Sequence, residues 1–281
     1  MSLWQILILA VIQGAAELLP VSSSAHVIVA EKLMGLDPTA PEMTLLLVML
    51  HTGTMFAVIV FFWDAWRKTY FSSTQAFRAN SYYVVVATIV TGFVGLSLLQ
   101  LIKYVVAGNA PDFEIEHLFG NSRLMATALA AAGLLIIVTS RIPDQGNNDL
   151  SVRRVALIGA VQGLCLPFRG FSRSGATIST GLALGLARRR AEEFSFALAV
   201  ALTPAVIVKE AYRLYKAQTV TTATHTTEFL QLVGPSMLGM VLSFAAGLFA
   251  LRWLSKWLDE GHWHYFGGYC LLASLVVLWV G

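Results

Sequence analysis

Charge is scarce in this chain. Lys, Arg, Asp and Glu together make up 12% of its 281 residues, where ordinary soluble domains carry roughly 25%. Set against 57% hydrophobic residues and a mean hydropathy of +0.69, that scarcity excludes a water-soluble globular domain. Cysteine is scarcer still: Cys165 and Cys270 both sit in apolar stretches, which excludes a disulfide framework and a zinc spacing and leaves packing as their expected role. The net charge of +3 is too small and too dispersed for a nucleic-acid partner. The opening MSLWQILILAVIQGAAELLP contains no Lys or Arg. A cleavable signal peptide needs a basic start, so this segment is expected to stay in the mature protein. Ten-residue alternating strands are absent too, which excludes a membrane barrel.

What the chain has instead is length in its apolar runs. Residues 43–63, 82–107, 118–139, 192–214, 229–251 and 263–281 each approach the roughly 20 residues that cross a bilayer core of about 30 Å. The expected fold class is an all-α polytopic membrane protein, with residues 1–281 forming a single integral membrane domain.

The two runs of spans are each preceded by a broken segment. AVIQGAAELLPVSSSAHVIVAEKLMGL (10–36) aligns with GAVQGLCLPFRGFSRSGATISTGLALGL (159–186): Gln-Gly, a Pro- or Gly-bearing break, a serine-rich triplet, then a second helix-like stretch. Ser22, Ser23 and Ser24 fall opposite Ser172, Arg173 and Ser174. Basic residues favour the cytoplasmic side. Arg67, Lys68 and Arg78 therefore place 64–81 inside, and Arg141, Arg153 and Arg154 place 140–154 inside. The acidic loop 108–117 (Asp112, Glu114, Glu116) and the Thr-rich loop 217–228 then lie outside. Arg188, Arg189 and Arg190 also require the cytoplasm, with only the segment 155–187 between. A segment that leaves and returns on one side is a re-entrant hairpin, and counting back makes 1–34 a hairpin from the opposite side. Three spans per half invert the second repeat (152–281) relative to the first (1–140). In such folds broken segments meet near the midplane.

At the first tip, Gln13 and Glu17 share a helical face. The residue before a proline resists the α conformation, so the helix should stop by Leu19–Pro20. Ser22, Ser23 or Ser24 can cap the next helix, with His26 in its first turn. Glu17 and His26 are then either an acid/base pair or a pair that bolts the hairpin. At the second tip, GFSRSGAT offers Gly170 for backbone freedom, Ser172 and Ser174 as caps, Gly175 for close approach, Thr177 as a further hydroxyl, and Arg173 between them. Free N–H groups beside a guanidinium fork make an anion site that suits phosphate. A purely structural Arg173–Glu17 bridge is the competing reading.

At this point the chain resembles the undecaprenyl-diphosphate phosphatases of the bacitracin-resistance type. QGAAELLPVSSSAH is similar to that family's E-G-x-x-E-F-L-P-V-S-S-x-x-H. GFSRSGATIS matches its P-G-x-S-R-S-x-x-T, and HTGTMFAVIVFFW (51–63) and EFSFALAV (193–200) also resemble family segments. The resemblance implies hydrolysis of undecaprenyl diphosphate to the monophosphate and phosphate in the bacterial inner membrane, recycling a carrier lipid and conferring bacitracin resistance. It implies a site open to the periplasm, assisted by a divalent cation such as Mg2+ or Ca2+. By position, Glu17, Ser22, Ser23 and His26 fall on the first motif, and Ser172, Arg173, Ser174 and Thr177 on the second. Arg173 is expected to clamp the diphosphate. Ser23 is the candidate nucleophile or orienting hydroxyl, and Glu17 with His26 the acid/base groups; Ser24 and Gly175 complete the expected binding set. The expected partners are the polyprenyl diphosphate and the membrane, with a homodimer as an option.

Two departures stand out. Gln13 occupies the place of the family's first glutamate, so a cation held by Gln13 and Glu17 should bind more weakly, because neutral oxygen is a poorer ligand for a hard ion. Arg169 replaces the proline before GFSRS. It is expected to join the binding set and take over part of the ion's electrostatic role, unless it is a rim residue. His51, with Thr52 and Gly53, is expected to line the cavity or pack on the first hairpin; Lys209 and Glu210 to snorkel or pair near the outer face, Lys103 to snorkel, and His262 and His264 to join an interfacial belt with Trp263 and Tyr265. The rival to an enzyme is a lipid-phosphate flippase built on the same anion site; a structural subunit would need no polar cluster at the midplane.

Overall fold

In hydrocarbon every backbone polar group must be satisfied within its own segment, and the apolar runs do this as helices. The computed structural model describes residues 2–37, 41–107, 121–144, 146–220 and 226–280. The acidic loop 108–117, the middle of the Thr-rich loop and the side chains of Lys209 and Glu210 lie outside the described residues. Ten helices are described: α1 (Leu3–Leu18), α2 (Ser23–Leu33), α3 (Pro41–Thr69), α4 (Thr74–Ala107), α5 (Ser122–Ser140), α6 (Val152–Leu164), α7 (Arg173–Ala183), α8 (Arg188–Val220), α9 (Thr226–Asp259) and α10 (Trp263–Val280). The described residues hold no strand, only an isolated bridge between Asn147 and Leu186.

Five helices carry a window long and apolar enough to cross a membrane: α3, α4, α5, α9 and α10. α8 runs beside them, with an uncharged stretch over residues 194–208. Phe93, Phe249 and Trp279 project from the surface, which water would penalise and lipid does not. The chain is a multi-pass membrane protein.

α1 and α2 form one hairpin, α6 and α7 the other. α1 stops where Pro20 requires: Leu18 is its last residue and Leu19 is extended at φ −69°, ψ 151°. α6 ends at Leu164, and the chain turns through Gly170 at φ +108°. A β-carbon at Gly170 would also stand 2.3 Å from the Met125 carbonyl oxygen. The second tip thus presses on the N-terminal turn of α5.

The pairings between residues 2–140 and 152–280 recur with roles exchanged. α1 packs on α9 as α6 packs on α4; α2 touches α10 as α7 touches α5; α3 meets α9 as α8 meets α4. α3 also meets α8, and α5 meets α10. Small residues allow these backbones close approach, as membrane helices require. A β-carbon on Gly159 of α6 would lie 2.3 Å from the Ala87 carbonyl oxygen of α4, and one on Gly14 of α1 would lie 2.7 Å from the Ser243 carbonyl oxygen of α9.

The last turns of α3 and α9, the first turn of α8, the start of α4 and the link from α5 to α6 gather on one side, which carries Arg67, Lys68, Arg141, Arg188, Arg189 and Arg190. The three adjacent arginines there do different things. Arg189 is exposed, but Arg190 is buried, donating from Nη2 to Asn80 Oδ1 at 2.6 Å and lying over the Tyr70 ring. Arg188 Nη1 donates to the Leu258 and Asp259 carbonyls at 3.2 and 3.0 Å, satisfying the orphan acceptors at the end of α9. Beside them Trp253, Trp257, His262, His264 and Tyr265 form an aromatic group.

Candidate active site

Glu17 lies in the last turn of α1, where the break at Pro20 opens the helix end toward α7. Its two oxygens are divided between the two hairpins. Oε1 accepts from Arg173 Nη2 at 3.3 Å, the first residue of α7. Oε2 accepts from Ser23 Oγ at 2.6 Å and from Gln13 Nε2 at 3.2 Å. The same Gln13 nitrogen is 3.1 Å from His51 Nδ1 on α3, and His51 Nδ1 is 3.9 Å from Glu17 Oε2. Gln13, Glu17, Ser23, His51 and Arg173 are therefore one cluster. The Glu17 and Arg173 side chains keep 21% and 22% exposure, so this pair can be reached from outside the protein.

Arg173 is the least satisfied member. Nη2 holds Glu17, while Nη1 is buried with no hydrogen-bond partner among the described residues. Leaving such a group unpaired costs on the order of 1–3 kcal/mol or more when charged. Its guanidinium also lies 5.9 Å from the centre of the fully buried Phe196 ring. That ring stacks on Phe62 at 5.2 Å and sets the height of the arginine.

The remaining polar residues of the second tip hold its shape. Ser172 Oγ caps α7 by accepting from Gly175 N at 3.3 Å. Ser174 Oγ donates to the Leu19 carbonyl at 3.2 Å, tying one tip to the other. Thr177 Oγ1 donates to the Arg173 carbonyl at 2.8 Å and is 2.6 Å from Ser195 Oγ. Ser172, Ser174 and Thr177 are each no more than 2% exposed, so what the tip offers a ligand is its arginine and the leading N–H groups of α7. Gly175 lets Pro20 approach to 3.2 Å of where a β-carbon would sit.

At the first tip Ser22 takes the N-cap position of α2, but its hydroxyl makes no capping bond. Its backbone is at φ +66°, the one described non-glycine residue with positive φ. Ser24 is half-buried. His26 stands outside the Glu17 cluster. Its Nδ1 is 2.8 Å from the Ser22 carbonyl and its Nε2 is 2.7 Å from Tyr269 Oη on α10. The carbonyl fixes the proton on Nδ1, so Nε2 accepts from the tyrosine. Among the described residues no hydrogen bond or ion pair joins His26 to Glu17, so the two do not bolt the hairpin by pairing with each other. Arg169 is exposed, and its charge acts on the buried Glu31 of α2. The charged partner of Glu17 is Arg173.

Sequence reasoning passed over Glu31 and Tyr269, and it expected His51 only to line the cavity or pack on the first hairpin, where it meets Gln13 and Glu17. The signal available for His51 was the segment HTGTMFAVIVFFW, marked by resemblance and not by spacing. Among the described residues no group of three or more His, Cys, Asp and Glu converges to hold a metal. Glu17 is the one carboxylate beside Gln13 and His51.

A family model described as bacitracin resistance protein BacA matches residues 6–276. The chain is 63% identical over 278 residues to undecaprenyl-diphosphatase 2 of Acinetobacter baylyi, covering 99% of this chain and 98% of that protein. It is 31% identical over 293 residues to undecaprenyl-diphosphatase 2 of Burkholderia thailandensis and to undecaprenyl-diphosphatase 1 of Burkholderia pseudomallei, covering 99% of this chain and 96% of each. A match of that extent, with both broken hairpins inside it, means that the chain belongs to the bacitracin resistance protein BacA family.

Proposed function

We propose that this chain hydrolyses undecaprenyl diphosphate to undecaprenyl phosphate and inorganic phosphate in the bacterial inner membrane, returning the carrier lipid to peptidoglycan and other envelope polysaccharide synthesis. Bacitracin resistance is the phenotype expected of it. The observation that carries this reading is Arg173, with one guanidinium nitrogen on Glu17 and the other buried and unpaired. That free nitrogen and the N–H groups leading α7 suit the equatorial oxygens of a phosphoryl group.

Ser23 is the nucleophile in this reading, because its Oγ already donates to Glu17 Oε2 and a serine needs an adjacent base. Oγ bonds to the terminal phosphorus as the bridging P–O bond breaks. The Ser23 proton passes to Glu17 and from it to the departing undecaprenyl phosphate. Water then attacks the phosphoserine; the P–Oγ bond breaks, Glu17 takes the water proton, and Ser23 recovers it. Gln13 and His51 hold Glu17 in place. His26 acts through the backbone of the first tip, holding the Ser22 carbonyl and so the start of α2.

The donor set suits a divalent cation that arrives on the diphosphate, with Glu17 as its anionic protein ligand; ions of the Mg2+ type are commonly held by one or two carboxylates plus substrate phosphates. When bound it would neutralise phosphate oxygens. The exchanged helix pairings support reading 1–140 and 152–281 as two halves of opposite orientation. The seat of the second tip on the outer turn of α5, opposite the basic end, supports a site open to the periplasm.

The test is phosphate release from undecaprenyl diphosphate by purified protein in detergent, beside Glu17→Gln and Arg173→Lys. Release lost in both variants, with lipid still bound by Glu17→Gln, is the expected result. Binding without release by the parent protein would overturn the enzyme reading in favour of a flippase.

A further inference from the structure

The break in the first hairpin is held from outside itself. Val21 N donates to the Leu19 carbonyl at 2.8 Å across Pro20, and side chains of other helices take the carbonyls along the break. Ser174 Oγ of α7 donates to the Leu19 carbonyl, and Cys270 Sγ of α10 donates to the Pro20 carbonyl, each at 3.2 Å. The Ser22 carbonyl should receive the first backbone bond of α2, yet His26 N lies 3.5 Å from it while His26 Nδ1 lies at 2.8 Å. The imidazole takes the place of the opening helical bond.

That imidazole is itself held. Tyr269, the residue before Cys270 on α10, brings its Oη to 2.7 Å from Nε2, and the two rings stack at 5.6 Å with 12° between their planes. A carbonyl can only accept, so Nδ1 carries the proton and Nε2 takes the O–H of the tyrosine; each bond fixes the tautomer that the other needs. The chain of contacts ends at Ser22, whose backbone stands at φ +66°, ψ 96°. A residue with a β-carbon persists there only where its surroundings hold it. Ser23 follows directly, and its Oγ reaches Glu17 Oε2 at 2.6 Å.

We propose that Tyr269 is a positioning residue for the reaction: through His26 it holds the Ser22 carbonyl, and so sets the backbone from which Ser23 meets Glu17. The proposal rests on the phosphatase reading above and adds to the site a residue contributed by the last helix. Among the described residues no hydrogen bond joins Tyr269 to Glu17, Ser23 or Arg173, so its effect travels through the imidazole. Without the tyrosine O–H the ring is free to leave the Ser22 carbonyl, and Ser23 spends less time within reach of Glu17. Arg173 still binds the headgroup, so the chemical step suffers and binding does not.

Tyr269→Phe keeps the stacked ring and removes only the donor. Phosphate release from undecaprenyl diphosphate is compared in the parent, Tyr269→Phe, His26→Ala and the double variant. Gly268→Ala is the control on the same helix, because a β-carbon there would meet nothing within 4 Å; it should match the parent. Tyr269→Phe should lower kcat by about ten-fold, within the range for coupled neighbours, with KM within about two-fold of the parent's and the melting temperature in detergent unchanged. His26→Ala should lose at least as much, and adding Tyr269→Phe to it should cost nothing further. An equal loss in both backgrounds, a change confined to KM, or no loss at all would overturn the assignment, because a tyrosine that only lines a cavity or supports the fold acts whether or not His26 is present. Hydrogen exchange needs no turnover: the amides of residues 21–26 should exchange faster in Tyr269→Phe and in His26→Ala alike, and unchanged exchange would also sink the proposal. A parent protein that releases no phosphate would instead end the phosphatase reading, an outcome distinct from an active parent matched by an equally active Tyr269→Phe.

Discussion

Three residues decide what the site can do: Ser23, Glu17 and Gln13. Replacing Ser23 by Ala or Glu17 by Gln should lower phosphate release by about 10²–10⁴-fold, the usual contribution of a positioned base and its partner, with the melting temperature in detergent little changed. Gln13→Glu acts differently. It puts a second carboxylate where an amide now donates to Glu17 Oε2 at 3.2 Å, so two like charges face each other unless a cation bridges them. The variant should lose far more activity on chelation than the parent does, and recover it with added Mg2+. An identical chelator response in both proteins would refute a link between position 13 and the ion. Much of this cluster was legible in the sequence, because Gln13, Glu17 and Ser23 lie within one broken helix where spacing dictates proximity. For His51 only its packing on the first hairpin was legible; its place beside Glu17 was not, since it arrives from a different helix and carries no periodic signature. Nor was the separation of His26 from Glu17, which depends on Tyr269 more than two hundred residues away.

At the scale of elements, the short helices are held by close backbone crossings. α6 meets α4 at Gly159, where Thr91 Oγ1 donates both to the Ala87 carbonyl and to the Gly159 carbonyl, at 2.8 and 2.9 Å, and accepts from Gln162 Nε2 at 3.0 Å. Gly159→Ala drives a methyl into the Ala87 carbonyl and should cost about 1–3 kcal/mol, as overpacking generally does, read as a lower melting temperature in detergent. Gly268→Ala should leave it unchanged. The helix breaks were readable because a proline and its predecessor act locally. The exchange of partners between the two halves was only half readable. Aligned motifs suggest a repeat, but which helix meets which is fixed by packing that no local pattern records. Ser22 shows the same limit: three serines in a row announce a cap, and the structure uses the backbone of the first and gives the hydroxyl of the second to Glu17.

Across the whole molecule, the distribution of charge supports one orientation. In the orientation proposed above, which puts the basic ends of α3, α5, α8 and α9 in the cytoplasm, both chain termini would face the periplasm. A cysteine at exposed Ser72, between α3 and α4, should react with an impermeant maleimide only after the inner membrane is opened. One at Ser2 should react in spheroplasts directly, each measured with Cys165 and Cys270 replaced by alanine. Labelling of Ser72→Cys in sealed spheroplasts would reverse the topology and with it the side from which Glu17 is reached. Positive charge is the basis of this orientation, yet Arg190 is spent inside the protein on Asn80 and Tyr70. A charge count alone overstates how many cations face the lipid headgroups.

The two native thiols have a use of their own. Cys165 ends α6 at the second tip, and the buried Cys270 donates its S–H to the Pro20 carbonyl of the first, at 3.2 Å. Each hairpin thus comes with a built-in chemical clock, whose alkylation half-life reports how often that tip loosens. A tip that tightens around a bound headgroup would slow its own clock, so a mass spectrum of two cysteine peptides, timed with and without lipid, would report on the two halves separately in the unmodified protein.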